Sequence, residues 1–398
     1  GGGTEACPLG QLKAASKIPM SCDTDSTGEA GQKVDEETAL LSKLVCSALE
    51  FALTLDLDPI RVRRELSMRG MAHFSEFLDI IYLGKHPLIE RSAHTAAVRL
   101  RRQLVPRSMQ RAKRITKQAG FHELEQYNAS SKRFKQDCLP YIRVAWQLER
   151  LHSEPQEGFR EHLQSLRGRI FEHLHERGPD RRLRMARILF RLDIVDAEEF
   201  RNIIIEAFPH SVVALRKPLK WFFHTPTRPL DLTYEVLALT DDGRQPFGKG
   251  LRDAAAHRFG TDSDFFEYAW HMVSRLTSLQ LKAQDVRWDI VCSMLEALAL
   301  LGGQVARSPF MLKVRTEILN KALNSDGSFG NYTKIESMVR KTQGANFDIK
   351  IGGNLHTTVA CLAALLATAD GMNDLWPYME HLEKDSSPQV IDTYTRGS

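Results

Sequence analysis

The 398-residue chain has no uninterrupted apolar run near the roughly 20 residues needed to cross a bilayer. Its longest apolar stretches, around Val291–Leu301 and Thr358–Thr368, have the length of buried core helices. No basic segment followed by an apolar one opens the chain, so export is not expected and a cytoplasmic protein is. Cysteine pairs at C-x-x-C spacing are missing. The six cysteines stand at Cys7, Cys22, Cys46, Cys138, Cys292 and Cys361, which suggests neither a zinc knuckle nor a thioredoxin-like pair but reduced, mostly buried thiols. No phosphate-binding glycine loop, P-loop or G-x-S-x-G turn is present. A charge excess is missing too, with 54 basic against 50 acidic residues. Basic clusters at Arg61–Arg64, Arg99–Arg102, Arg111–Lys117 and Arg181–Arg187 fall within amphipathic patterns, where a solvated helix face is the expectation. Aromatics do not interleave with them, and nucleic acid is not an expected partner. Finally, period-two alternation over a strand length is absent, which excludes a substantial sheet.

What is present is helical grammar. Residues 1–34 are rich in Gly, Ser, Thr and Asp and are expected to be a mobile N-terminal segment. From Asp35, acidic residues precede Leu40-Leu41, Leu44-Val45, Ala48-Leu49 and Phe51-Ala52, apolar positions recurring at three and four. Asp58-Pro59 reads as the cap and first residue of another helix. The same pattern predicts helices over Ile89–Leu104 (stopping before Pro106), Leu139–Leu151, Pro155–Leu174, Arg181–Leu192 and Ala197–Phe208. A Pro-bearing stretch from Lys217 to Pro229 breaks the periodicity and is the expected boundary between an N-terminal helical region, 35–216, and a C-terminal one, 217–398. Beyond it, helices are expected at Phe265–Leu279, Val286–Leu301 and Leu312–Leu323.

The third of these ends in Asn324-Ser325-Asp326-Gly327-Ser328-Phe329-Gly330, and later comes Gly352-Gly353-Asn354-Leu355-His356-Thr357-Thr358 heading a small-residue helix. A D-G-S-F turn followed by H-T-T resembles the repeat of α/α-toroid proteins, among them squalene–hopene-type cyclases and prenyltransferase β subunits. The pattern is also similar to an uncharacterised helical family of actinobacterial biosynthetic clusters. The resemblance covers roughly the last 140 residues. It implies an all-α protein, a helical-hairpin bundle with an incomplete or complete α/α-toroid toward the C-terminus, whose inner helices point their N-termini into a cavity. The chain departs from these families in two places. No D-x-C partner accompanies His356 as a prenyltransferase zinc site requires, and no D-x-D-D acid motif is present, so neither a metal nor terpene cyclisation is expected.

Three groups of residues could carry chemistry. His356 opens a helix, where backbone amides favour an anionic substrate group and a neutral imidazole base. Asn354 and Thr357 flank it as candidate substrate contacts. Asp264, Glu267 and His271 recur at three and four on one helix face, which suits acid–base work as well as it suits an acidic cap with a solvated stripe. Arg287 and Trp288 head the next helix as candidate anion and substrate contacts. Glu90 and His94, one turn apart, could form a carboxylate-oriented histidine or an ordinary surface pair. His173 and His175 cannot share a helix face.

The leading expectation is a cofactor-independent enzyme of bacterial specialised, natural-product metabolism: a cyclase, lyase or transferase using His356 as base, Asp264, Glu267 and His271 as partners, and a small anionic substrate. The competing expectation is a non-catalytic helical module that docks a protein partner or a second copy, or senses a small ligand.

Overall fold

A computed structural model describes residues 27–55, 159–175, 177–225, 227–241, 245–302, 308–331 and 353–369, with isolated positions at 102, 106, 110, 142, 145 and 146. The described residues are predominantly helical and contain no strand, only one isolated antiparallel bridge between Leu323 and Phe329. The fold is all-α. No described helix is long and apolar enough to cross a membrane.

The described helices are α1 (Thr27–Thr54), α2 (Phe159–Ser165), α3 (Arg167–His175), α4 (Pro179–Arg191), α5 (Ala197–Ala207) and α6 (Pro229–Leu239). They continue as α7 (Phe247–Asp253), α8 (Asp262–Leu281), α9 (Trp288–Leu301), α10 (Pro309–Glu317) and α11 (Leu355–Ala367). Short 3-10 turns cover Phe208–His210, Leu219–Phe223 and Ala256–Arg258, and a π turn, Ile318–Ala322, continues α10. Helix α1 begins at Thr27, ahead of the expected start at Asp35. The single helix expected over Pro155–Leu174 is broken at Leu166 into α2 and α3. Pro106 is itself helical, a conformation that its fixed φ allows. The helix start expected at Asp58-Pro59 and the pair Glu90 and His94 lie outside the described residues.

Two compact units divide the chain. The first takes residues up to 102, then 280–296 and 304–375; the second takes 103–279, 297–303 and 376–398. The first unit is built round α11. Every position from Thr357 to Leu366 on that helix is buried, as is Leu355, so it presents no solvated face and sits in the core. Helix α1 packs on it, burying Leu41, Leu44, Val45, Ala48 and Leu49.

The second unit has α4 packed against both α5 and α6. Its core collects Ile142, Trp146, Leu163, Ile170, Leu174, Ala186, Leu189 and Ile203, with Phe190 stacked on Phe200 at 4.9 Å. Local chemistry sets the helix ends here. Gly178-Pro179 opens α4, and Asp196 and Glu199 form a reciprocal capping box that starts α5. Within α6, Leu232, Thr233, Glu235, Val236, Ala238 and Leu239 are all buried, so this helix is almost wholly enclosed and carries one acid inside.

Candidate functional site

Asn354, His356, Thr357, Arg287 and Trp288 belong to the first unit, and Asp264, Glu267 and His271 to the second. At the head of α11 the two sequence motifs meet. Phe329 donates its backbone N–H to Thr358 Oγ1 at 2.8 Å, and Asn354 Nδ2 reaches Ser328 Oγ at 3.5 Å. The turn is braced internally: Asp326 Oδ1 accepts from Ser328 N at 3.1 Å and from its hydroxyl at 2.6 Å. Asn324 Nδ2 donates to Gly330 O at 3.0 Å. Asn354 and Thr357 are buried, Thr357 donating to Gly353 O at 3.1 Å, while His356 remains half-buried at the helix start. Asn354 Oδ1 is buried with no hydrogen-bond donor in reach. At the head of α9, Arg287 grips Asp289 with Nε and Nη2 at 3.0 and 2.7 Å, and Trp288 is buried in the core.

On α8 the expected trio divides. Asp264 closes a reciprocal cap: its Oδ2 accepts from Thr261 N at 3.0 Å, and its own N–H donates to Thr261 Oγ1 at 3.2 Å. That hydrogen bond, helped by Arg216 at 3.6 Å, holds the carboxyl below the usual range. Glu267 is exposed. His271 is half-buried, and burial first, then the Arg275 cation, keep it below the ordinary histidine value.

The strongest electrostatic anomaly involves residues that the motifs did not mark. Consecutive backbone amides after α5 each serve one carboxyl: Val212 N donates to Asp180 Oδ1 at 3.4 Å, and Val213 N donates to Glu235 Oε2 at 3.0 Å. The first turn of α4 and the middle of α6 therefore bring two acids side by side. Glu235 is fully buried, whereas Asp180 is half-buried. Burial lifts Asp180 to about 6, with the nearby Asp231 adding to the rise and the Val212 amide opposing it. Burial and then Asp180 push Glu235 well above the carboxylate range, against the pull of Ser211 and the Val213 and Val212 amides. Asp180 thus raises the cost of ionising Glu235, as coupled acids do.

Asp231 lies one turn before Glu235 and is also raised by burial, while Arg181 and Arg228 draw it down. Tyr268 donates its hydroxyl to Lys217 O at 2.7 Å and is pushed upward by burial and by the same two acids, which fixes it close to them. Arg184 of α4 stacks over Tyr234 of α6 at 4.0 Å. Among the described residues, no three His, Cys, Asp or Glu side chains are arranged to hold a metal ion.

A sequence signal for this pair did exist. In Pro229-Leu230-Asp231-Leu232-Thr233-Tyr234-Glu235-Val236-Leu237, Glu235 is flanked by residues of a core helix and has no Lys or Arg within a turn on either side. Compared with protein-family models, with curated proteins and with solved structures, the chain matches none.

Proposed function

We propose that the chain is an enzyme that moves protons on a small substrate, with Asp180 as the acid–base group. The observation that carries this reading is the placement of Asp180 and Glu235 on the consecutive amides of Val212 and Val213. A buried carboxyl pair with no cation between its members is costly, and such arrangements concentrate where a proton must be exchanged near neutral pH. Asp180 is the member that meets solvent, so a substrate reaches it first. Glu235, enclosed behind it, is a positioning residue that keeps Asp180 basic enough to accept a proton and acidic enough to return it. One carboxyl that alternates in this way suits cyclisation, elimination or group transfer. Exposed Arg181 and Arg184 offer contacts for an anionic substrate group. The resemblance of the D-G-S-F and H-T-T motifs to toroid and biosynthetic-cluster proteins favours a natural-product substrate.

One observation favours a second reading, a module that docks a partner. Leu215, Phe223 and Phe259 are 47%, 61% and 49% exposed. Arg216 lies against Gly260, which sets Leu215 and Phe259 on neighbouring turns beside basic side chains.

A thermal-shift screen of small anionic metabolites against the wild type, Asp180→Asn and Phe259→Ser separates the two. The enzyme reading expects compounds that stabilise the wild type and Phe259→Ser but not Asp180→Asn. If no compound stabilises the wild type, or if binding survives Asp180→Asn unchanged, the enzyme reading is lost.

A further inference from the structure

We infer that Cys292 and Cys361 are the two ends of an internal disulfide that joins α9 to α11 within the first unit. Their sulfurs stand 2.8 Å apart. Both residues are fully buried, one in the second turn of α9 and one in the middle of α11. A disulfide bond is about 2.05 Å long, so the sulfurs need to close by roughly 0.8 Å, within the play of two χ1 rotations. The 69-residue separation between the partners explains why no local spacing rule marks them. It also means that the bond would close a long loop, the situation in which a cross-link restricts the unfolded chain most.

The site's chemistry limits when the bond can form. Burial, and then the neighbouring sulfur of Cys361, push the Cys292 thiol well above its usual range, so the folded protein offers little thiolate to a reagent. The exchange therefore belongs to folding or to a transient opening of the α9–α11 contact. A thiolate of the pair attacks a low-molecular-weight disulfide such as oxidised glutathione, forming a mixed disulfide and releasing one small thiol. The second cysteine, as thiolate, displaces the other small thiol. Two electrons pass from the pair to the reagent, and the two protons end on the two released thiols. Once made, the bond lies in the core, beyond the reach of reductant until the unit opens. Its role is to hold α11, the helix that carries Asn354, His356 and Thr357 at its head, against α9.

The test is peptide mapping of the full chain refolded in a glutathione redox buffer, alkylated without reduction and digested. The expected result is an intact mass lower by about 2 Da and one cross-linked peptide pair containing positions 292 and 361, lost after unfolding in reductant. Cys292→Ser and Cys361→Ser should each remove that pair. If either variant does not fold, the wild-type map decides alone. Recovery of both positions as separate alkylated peptides, or of either joined to a different cysteine such as Cys46, overturns the inference.

Discussion

Thr358 Oγ1 accepts the backbone N–H of Phe329 at 2.8 Å and donates to Asn354 O at 2.6 Å, so one hydroxyl ties the D-G-S-F turn to the head of α11. Both residues are buried. Thr358→Val keeps the shape and removes the acceptor, leaving the Phe329 amide enclosed and unpaired. The expected cost is about 1–3 kcal/mol. Thr358→Ser should restore most of it. Urea unfolding of the three proteins checks this, and a Val variant as stable as the wild type would show that the amide finds another partner.

The same turn leans on α1. Gly327 has φ +82°, and a Cβ built on it would stand 2.7 Å from the carbonyl oxygen of Ser47, a backbone atom that cannot swing aside. Gly327→Ala thus meets both a strained conformation and a clash. We expect a loss of at least about 2 kcal/mol, read as a lower urea midpoint. Because α1 and α11 pack together, the damage should spread across the first unit rather than stay in the turn.

The buried acids dictate a direction for pH. Asp180 sits at about 6 when folded, raised by burial and then by Asp231, and Glu235 is raised as well. The unfolded chain releases these protons near pH 4. Between that pH and 6 or above, the folded state therefore binds more protons, and stability falls as pH rises through the window; it is full below the unfolded value. Glu235→Gln removes one titration while its amide can still donate toward Asp180. The variant should be more stable than the wild type at pH 8 and resemble it at pH 4. Urea titrations at the two pH values check this. Equal stabilities at pH 8 would mean that the pair carries no proton penalty.

Helix boundaries were legible where the signal is local. The starts expected at Arg181, Ala197 and Phe265 lie within three residues of those observed, where Pro179 opens α4, the Asp196–Glu199 box opens α5 and the Thr261–Asp264 pair opens α8. The D-G-S-F and H-T-T segments were legible as motifs, though their union through Phe329 and Thr358 depends on packing within the first unit. Asp180 and Glu235 were not legible. The contact joins the first turn of α4 to the middle of α6 by way of Val212 and Val213, and no pattern within either helix encodes it. Glu235 gave a faint sign, as an acid alone in a core helix. The spacing of Asp264 to Glu267 and His271 suited acid–base work as well as an acidic cap, and its carboxyl accepts the amide of Thr261 as a cap does.

Two helical glycines should answer the same substitution with opposite sign. A Cβ on Gly250 of α7 would lie 2.0 Å from the carbonyl oxygen of Leu239 and within 2.9 Å of two more of its backbone atoms, so α7 lies directly on the end of α6. Alanine there must push the helices apart, at an expected cost of about 2–3 kcal/mol. Gly168 in α3 is exposed and has nothing within 4 Å of the added carbon, so Gly168→Ala gains helix propensity and should stabilise by about 0.5–1 kcal/mol. Because α6 carries Glu235, Gly250→Ala should also disturb the carboxyl pair, whereas Gly168→Ala should not. Urea midpoints give the stabilities, and carboxyl titration followed by NMR reads the pair. A Gly250→Ala protein with wild-type stability and an unchanged Asp180 titration would show that α7 does not depend on this close approach.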